Sequence, residues 1–235
     1  MPPRRYRRRG GKSQIDNALA PPFNIYDPHD LPAPIYNGES IIVTSIDPGI
    51  KNCGVYVAKI NLKSGKVKSL YLSRLEFSGE GSHYINSIKK LDHIEEKTGL
   101  FSKSQYIIIE QQMIVSTQNT RMGQHLQTYF LTSLRNKGKR SIIMEFTSKA
   151  KTRVLKCPPE KMKQKKDYKK WCAEKAVSIL RERDNESEEK YILFLESVKK
   201  KDDVGDVICQ LEAWKILIDS GIYPYPKPKI EVCKE

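Results

Sequence analysis

The chain has 235 residues and a mass of 27.1 kDa, enough for one globular domain with a core of its own and an appended arm. With 38% hydrophobic and 30% charged residues, and no apolar run near the roughly 20 residues a bilayer span requires, the composition excludes a membrane protein and a wholly disordered chain. Lys and Arg outnumber Asp and Glu by 42 to 28, for a net charge of +14. The excess is focused: residues 1–14 carry six basic side chains and no acid, and residues 149–175 carry eleven against three. Clustered cations with Tyr168 and Trp171 among them are the footprint of a polyanion binder, and nucleic acid is the first partner to consider.

Residues 1–40 are rich in Arg, Gly and Pro and show no sustained periodicity, which predicts an irregular arm. No stretch near Met1 has the apolar centre of a secretory signal, so the expectation is an intracellular protein. Ile41 to Ile46 is a β-branched run stopped by Asp47-Pro48-Gly49, the pattern of a buried strand that ends in a turn. Gly54 to Ile60 and Val67 to Phe77 predict two more strands around a turn at Lys63-Ser64-Gly65-Lys66. Ser82 is placed to cap a helix running to about Lys97. Tyr106 to Glu110 is the most apolar strand candidate, and a helix from about Thr120 to Asn136 and a strand from Ser141 to Phe146 follow. Helices are then expected over about 168–183, 188–199 and 202–219, with a proline-rich tail at 221–235. Three strands in tight succession and then strand–helix alternation predict an α/β fold, a mixed sheet with a parallel half, in one domain spanning 41–220.

The five cysteines and four histidines show neither C-x-x-C nor H-x-x-x-H spacing, which argues against zinc and against a disulfide framework. The acids are more informative. Asp47 ends one apolar strand and Glu110 ends another, while Asp203 and Asp206 lie three residues apart at the start of the last helix, on one face. Singly each has a plain structural explanation: a turn for Asp47, a lysine partner for Glu110, a helix cap for Asp202 or Asp203. If they converge, their shared negative charge calls for a hard divalent cation, Mg²⁺ or Mn²⁺, and a pair of such ions suits phosphodiester hydrolysis.

Four segments carry a family resemblance. Ile46-Asp47-Pro48-Gly49-Ile50-Lys51-Asn52-Cys53-Gly54 resembles the I-D-P-G-x-x-x-x-G motif of RuvC-type Holliday junction resolvases. Ile109-Glu110-Gln111 resembles their I-E-Q, Met122-Gly123-Gln124 their L-G-Q, and Asp203-Val204-Gly205-Asp206 their closing D-x-x-D. Lys200-Lys201-Asp202-Asp203 looks closest to the resolvases of poxviruses and related large DNA viruses, with the fungal mitochondrial enzymes next. The resemblance implies an RNase H-like fold with a five-stranded sheet, a homodimer, two Mg²⁺ ions per site, and paired symmetric nicks in four-way DNA junctions during recombination or the resolution of replicated DNA. It makes Asp47, Glu110, Asp203 and Asp206 the metal-binding and catalytic acids, with no small-molecule cofactor, and Asp202 a helix cap. The basic segment and the motif loop suggest Lys51, Lys163, Lys165, Lys166, Lys169 and Lys170 as DNA contacts. The compartment would be wherever the DNA replicates, viral factory, host cytoplasm or nucleus, or the mitochondrion for the fungal type. Two other readings compete: a broader flap or branched-DNA nuclease, and a catalytically silent protein that binds DNA by shape.

Overall fold

Runs of isoleucine and valine build the middle of a single sheet. The computed structural model describes residues 23–26, 39–112, 116–139, 141–183 and 186–220. Its strands are β1 (Phe23–Tyr26), β2 (Ser40–Asp47), β3 (Cys53–Asn61), β4 (Val67–Leu75), β5 (Tyr106–Gln111) and β6 (Ile142–Thr147), in the spatial order β1-β6-β5-β2-β3-β4. The first three long strands, β2 to β4, pair antiparallel as their tight turns require. β5 joins β2 in parallel, and β6 joins β5 in parallel, as the strand–helix alternation predicts.

The five expected strands all form, and β1 is added at the edge. It pairs antiparallel with β6, Phe23 opposite Phe146, so regular structure begins before Ile41. Four residues among prolines are too few for a periodic signal, but the unpaired edge of β6 offers a ready ladder to any extended segment that reaches it. The rest of the predicted arm and the tail at 221–235 lie outside the described residues.

The helices are α1 (His83–Thr98), α2 (Leu100–Lys103), α3 (Thr117–Asn136), α4 (Ser148–Val154), α5 (Pro159–Met162), α6 (Lys165–Glu182), α7 (Glu186–Ser197) and α8 (Lys201–Asp219). Ser82 caps α1 by accepting from the Tyr84 amide, as expected, and Gly99 ends it in a left-handed conformation. Three short helices, α2, α4 and α5, have no counterpart in the sequence expectation, because a single turn or two gives no periodicity to read.

Strand alternation sorts the core into two layers. Val43, Tyr56, Ala58 and Ile108 pack with α6, α7 and α8, while Ile46, Val55, Ile107 and Ile109 pack with α1, α2 and α3 on the other face. The same alternation turns Asp47 and Glu110, at the strand ends, toward the α8 face. α8 itself is pressed from both sides. A Cβ on Gly54 of β3 would stand 2.5 Å from the Asp203 carbonyl oxygen, and one on Gly205 would stand 3.2 Å from the Ala173 Cα of α6. The glycine that closes the first motif is therefore required by the close approach of β3 to the start of α8, where the two aspartates sit. Gly54→Ala is expected to push α8 off the sheet and to destabilise the fold by about 1–3 kcal/mol, read as a lower midpoint in thermal denaturation. An unchanged midpoint would show that strand and helix separate freely here.

Candidate active site

Because β2 and β5 run parallel, their last residues reach the same edge of the sheet, and the loops beyond them open a crevice there. Asp47 and Glu110 stand on that edge, and Asp203 and Asp206 come from the first two turns of α8. All four line one cavity of about 730 Å³. Pro48, Lys51 and Asn52 border it from the loop after β2, Ser116 and Asn119 from the start of α3, and Lys165, Tyr168 and Lys169 from α6. The four acids picked out in the sequence are thus brought together from three elements.

The contacts among them are specific. Gln112 Nε2 donates to Asp47 Oδ1 at 3.2 Å. Lys151 Nζ donates to Glu110 Oε2 at 3.1 Å and also to Asp206 Oδ1. The same Asp206 oxygen accepts from the Tyr168 hydroxyl at 3.3 Å and from Cys172 Sγ at 3.1 Å. Asp203 Oδ2 is buried and has no hydrogen-bond partner.

Burial and mutual repulsion set the protonation behaviour. Burial pushes the Asp47 carboxyl well above the usual carboxylate range, Glu110 and Asp206 push it further, and Lys151 only partly offsets them. Glu110 is raised by burial against the pull of Lys151. Asp203 is pushed up to about 6, by burial first and then by Asp202 beside it. Burial opposes the charge on Lys151, but the carboxylates of Asp206 and Glu110 outweigh it and hold its pKa well above the usual value. This lysine, with 1% of its side chain exposed, stays an ammonium.

A site with four carboxylates and one buried ammonium is short of positive charge. Its donors are hard oxygens, and one of them, on Asp203, is desolvated with nothing to bond. That chemistry fits Mg²⁺ or Mn²⁺. Among the described residues no three acid, His or Cys side chains already converge as a finished cage. Lys151, between Glu110 and Asp206, is the cation that holds two of the acids together in this arrangement.

The basic residues divide. Lys51, Lys165 and Lys169 border the cavity. Lys163 and Lys166 are exposed but do not line it, and Lys170 is exposed with its ammonium 3.8 Å from Glu174. Asp202 is not the cap: the N-cap of α8 is Lys200, and Asp202 lies in the first turn, ion-paired with Lys169. The cap lies two residues earlier than expected, so Asp202 meets the helix dipole from inside the first turn. Lys151 and Tyr168 were not among the site residues expected from the sequence. Lys151 sits on a helix of seven residues, and its partners lie 41 and 55 positions away.

Comparison with known proteins fits this geometry. No protein-family model matches the chain. Protein 97L of Invertebrate iridescent virus 3, a large DNA virus protein itself uncharacterized, is 25% identical over 158 residues, which are 67% of this chain and 71% of that one. Among solved structures, the fowlpox virus resolvase in complex with its substrate Holliday junction DNA superposes with a TM-score of 0.54 at 15% identity, over 76% of this chain and 99% of that one. The fold is that of the RuvC-type resolvases. Thermus thermophilus RuvC agrees, with a TM-score of 0.50 and 13% identity over 77% of this chain and 98% of that one. The mixed sheet with helices on both faces is the RNase H-like architecture, and the viral relative fits the large-virus branch of the resemblance.

Replacing Lys151 tests the electrostatics. Lys151→Met leaves Glu110 and Asp206 buried without their cation and is expected to cost about 3–5 kcal/mol in chemical denaturation. Added Mg²⁺ or Mn²⁺ is expected to restore more stability to the variant than it adds to the wild type. A loss below about 1 kcal/mol would show that the triad is solvated like a surface pair.

Proposed function

We propose that this chain is a metal-dependent endodeoxyribonuclease that resolves Holliday junctions, acting as a homodimer that nicks four-way DNA at symmetric positions. The observation that carries the reading is the acid-lined cavity at the sheet edge, with the unpartnered buried oxygen of Asp203 inside it and lysines on its rim. The four-way substrate is supported by the resolvase fold and by the ordered motifs, and the relative points to viral DNA, wherever it is replicated and recombined.

Asp47, Glu110, Asp203 and Asp206 would hold Mg²⁺, with Mn²⁺ as a substitute and two ions per site. Bound there, the ions supply Lewis-acid stabilisation of phosphodiester hydrolysis and an activated water. The chain's own residues do the rest. Lys51, Lys165 and Lys169 contact the phosphates that flank the scissile bond from the cavity rim, and Lys163, Lys166 and Lys170 extend the positive surface outward. Such contacts fix register on the DNA and carry no base preference. Gln112 orients Asp47, and Lys151 bridges Glu110 and Asp206 and offsets part of the burial cost on the Glu110 carboxylate. Tyr168, whose pKa burial raises, remains a hydroxyl donor to Asp206. Two copies related by a twofold axis would place one cavity against each of two opposed strands, which is what symmetric nicks require.

A silent DNA-binding protein has no use for carboxylates so costly to bury together. The test is a nicking assay with Mg²⁺ on a four-way junction, a flap and a plain duplex, run beside a gel shift without metal. Asp47→Asn and Glu110→Gln are expected to lower junction cleavage by more than about 100-fold while junction binding persists or tightens, since each removes a negative charge that faces DNA. Near-normal cleavage by either variant would contradict the mechanism, and equal cleavage of flap and junction would assign the broader nuclease instead.

A further inference from the structure

One turn beyond Asp206 on α8 lies Gln210, fully buried. Its Nε2 donates to the Ile46 carbonyl oxygen at 3.3 Å and to the Ile108 carbonyl oxygen at 3.1 Å. Ile46 immediately precedes Asp47, and Ile108 lies two residues before Glu110. One amide therefore spans the paired strands β2 and β5 from a point on the helix that carries the other two acids. We propose that Gln210 is a positioning residue that fixes the distance and angle between the Asp203–Asp206 pair and the Asp47–Glu110 pair, and so sets the affinity of the site for divalent cations. This inference rests on the reading of the four acids as metal ligands.

Its stability role is poor. The Gln210 Oε1 is buried with no partner, so half of the amide is desolvated without return. Val207, Ile208, Leu211 and Trp214 around it on α8 are buried apolar residues, and an aliphatic side chain would suit that layer at least as well. What an aliphatic contact lacks is direction. Apolar burial scales with area and tolerates a sliding helix, whereas hydrogen bonds restrict length and angle. Metal sites need ligand distances held within about 0.2 Å, and here two of the acids reach the site on a helix whose other contacts with the sheet are mostly apolar. Each carbonyl has a second lone pair and can accept the amide while remaining in its sheet. Among the side chains of this length, glutamine alone offers two donors from one neutral head; Met offers none, and an ionised Glu only accepts.

The experiment uses the full chain and Mn²⁺ as the probe. Binding is followed by the paramagnetic resonance signal of free Mn²⁺, beside thermal midpoints and metal-free junction binding, for wild type, Gln210→Met and Gln210→Leu. Both variants are expected to melt within about 4 °C of wild type and to bind junction DNA normally. They are expected to bind Mn²⁺ at least 10-fold more weakly, with maximal cleavage recovered only at raised Mn²⁺. Mn²⁺ affinity within twofold of wild type, or failure of both variants to fold, would assign the amide to stability and overturn the proposal. If wild type itself bound no Mn²⁺, the reading of the acids would fail instead, so the two failures are distinguishable.

Discussion

Holding four carboxylates at one edge of a sheet is the constraint on which the rest of this structure depends. Each acid raises the cost of ionising its neighbours, and burial adds to that cost for Asp47, Glu110 and Asp203. Lys151 relieves part of it by bridging Glu110 and Asp206 from α4, in the same layer as α8. The arrangement persists because large apolar contacts on both faces of the sheet support it, and because Gly54 and Gly205 let α8 come close enough to bring its aspartates to the strand ends. A site that is short of positive charge and rimmed with lysine suits a polyanion together with hard cations.

Much of this was legible in the residues, for reasons that differ by element. Asp47 and Glu110 stood out because each ends a run of β-branched residues, where a carboxylate has no stability role. Asp203 and Asp206 stood out by helical spacing. Periodicity supported their convergence but could not establish it, since it depends on the parallel pairing of β2 with β5 and on α8 packing against that pair. Motif order suggested it, and the tertiary structure shows it. Lys151 stayed hidden among the eleven basic residues of its segment, because burial of one cation is decided by partners far along the chain. Asp202 was misassigned because an N-cap and a first-turn acid look alike in sequence; α8 is capped at Lys200, and Asp202 is paired with Lys169. β1 was missed because it is stabilised by the edge of β6 and hardly at all by its own four residues.

The basic segment at 149–175 acquires a definite place. It forms α4, α5 and the start of α6, and it supplies one buried lysine to the acids and two, Lys165 and Lys169, to the cavity rim. Its charge is therefore divided between holding the site together and lining its rim. β1 runs antiparallel to β6 and begins beside Phe146, which is itself paired with Glu110 across β5 and β6. β1 therefore begins at the end of the sheet where Asp47 and Glu110 stand.

The central claim is that Asp47, Glu110, Asp203 and Asp206 together form a divalent-cation site. Anomalous scattering from crystals soaked in Mn²⁺ tests it most directly. The account predicts Mn²⁺ peaks in contact with all four carboxylates at the β2 and β5 strand ends. Mn²⁺ bound elsewhere, with these four side chains unliganded and Lys151 as the sole cation among them, would contradict it.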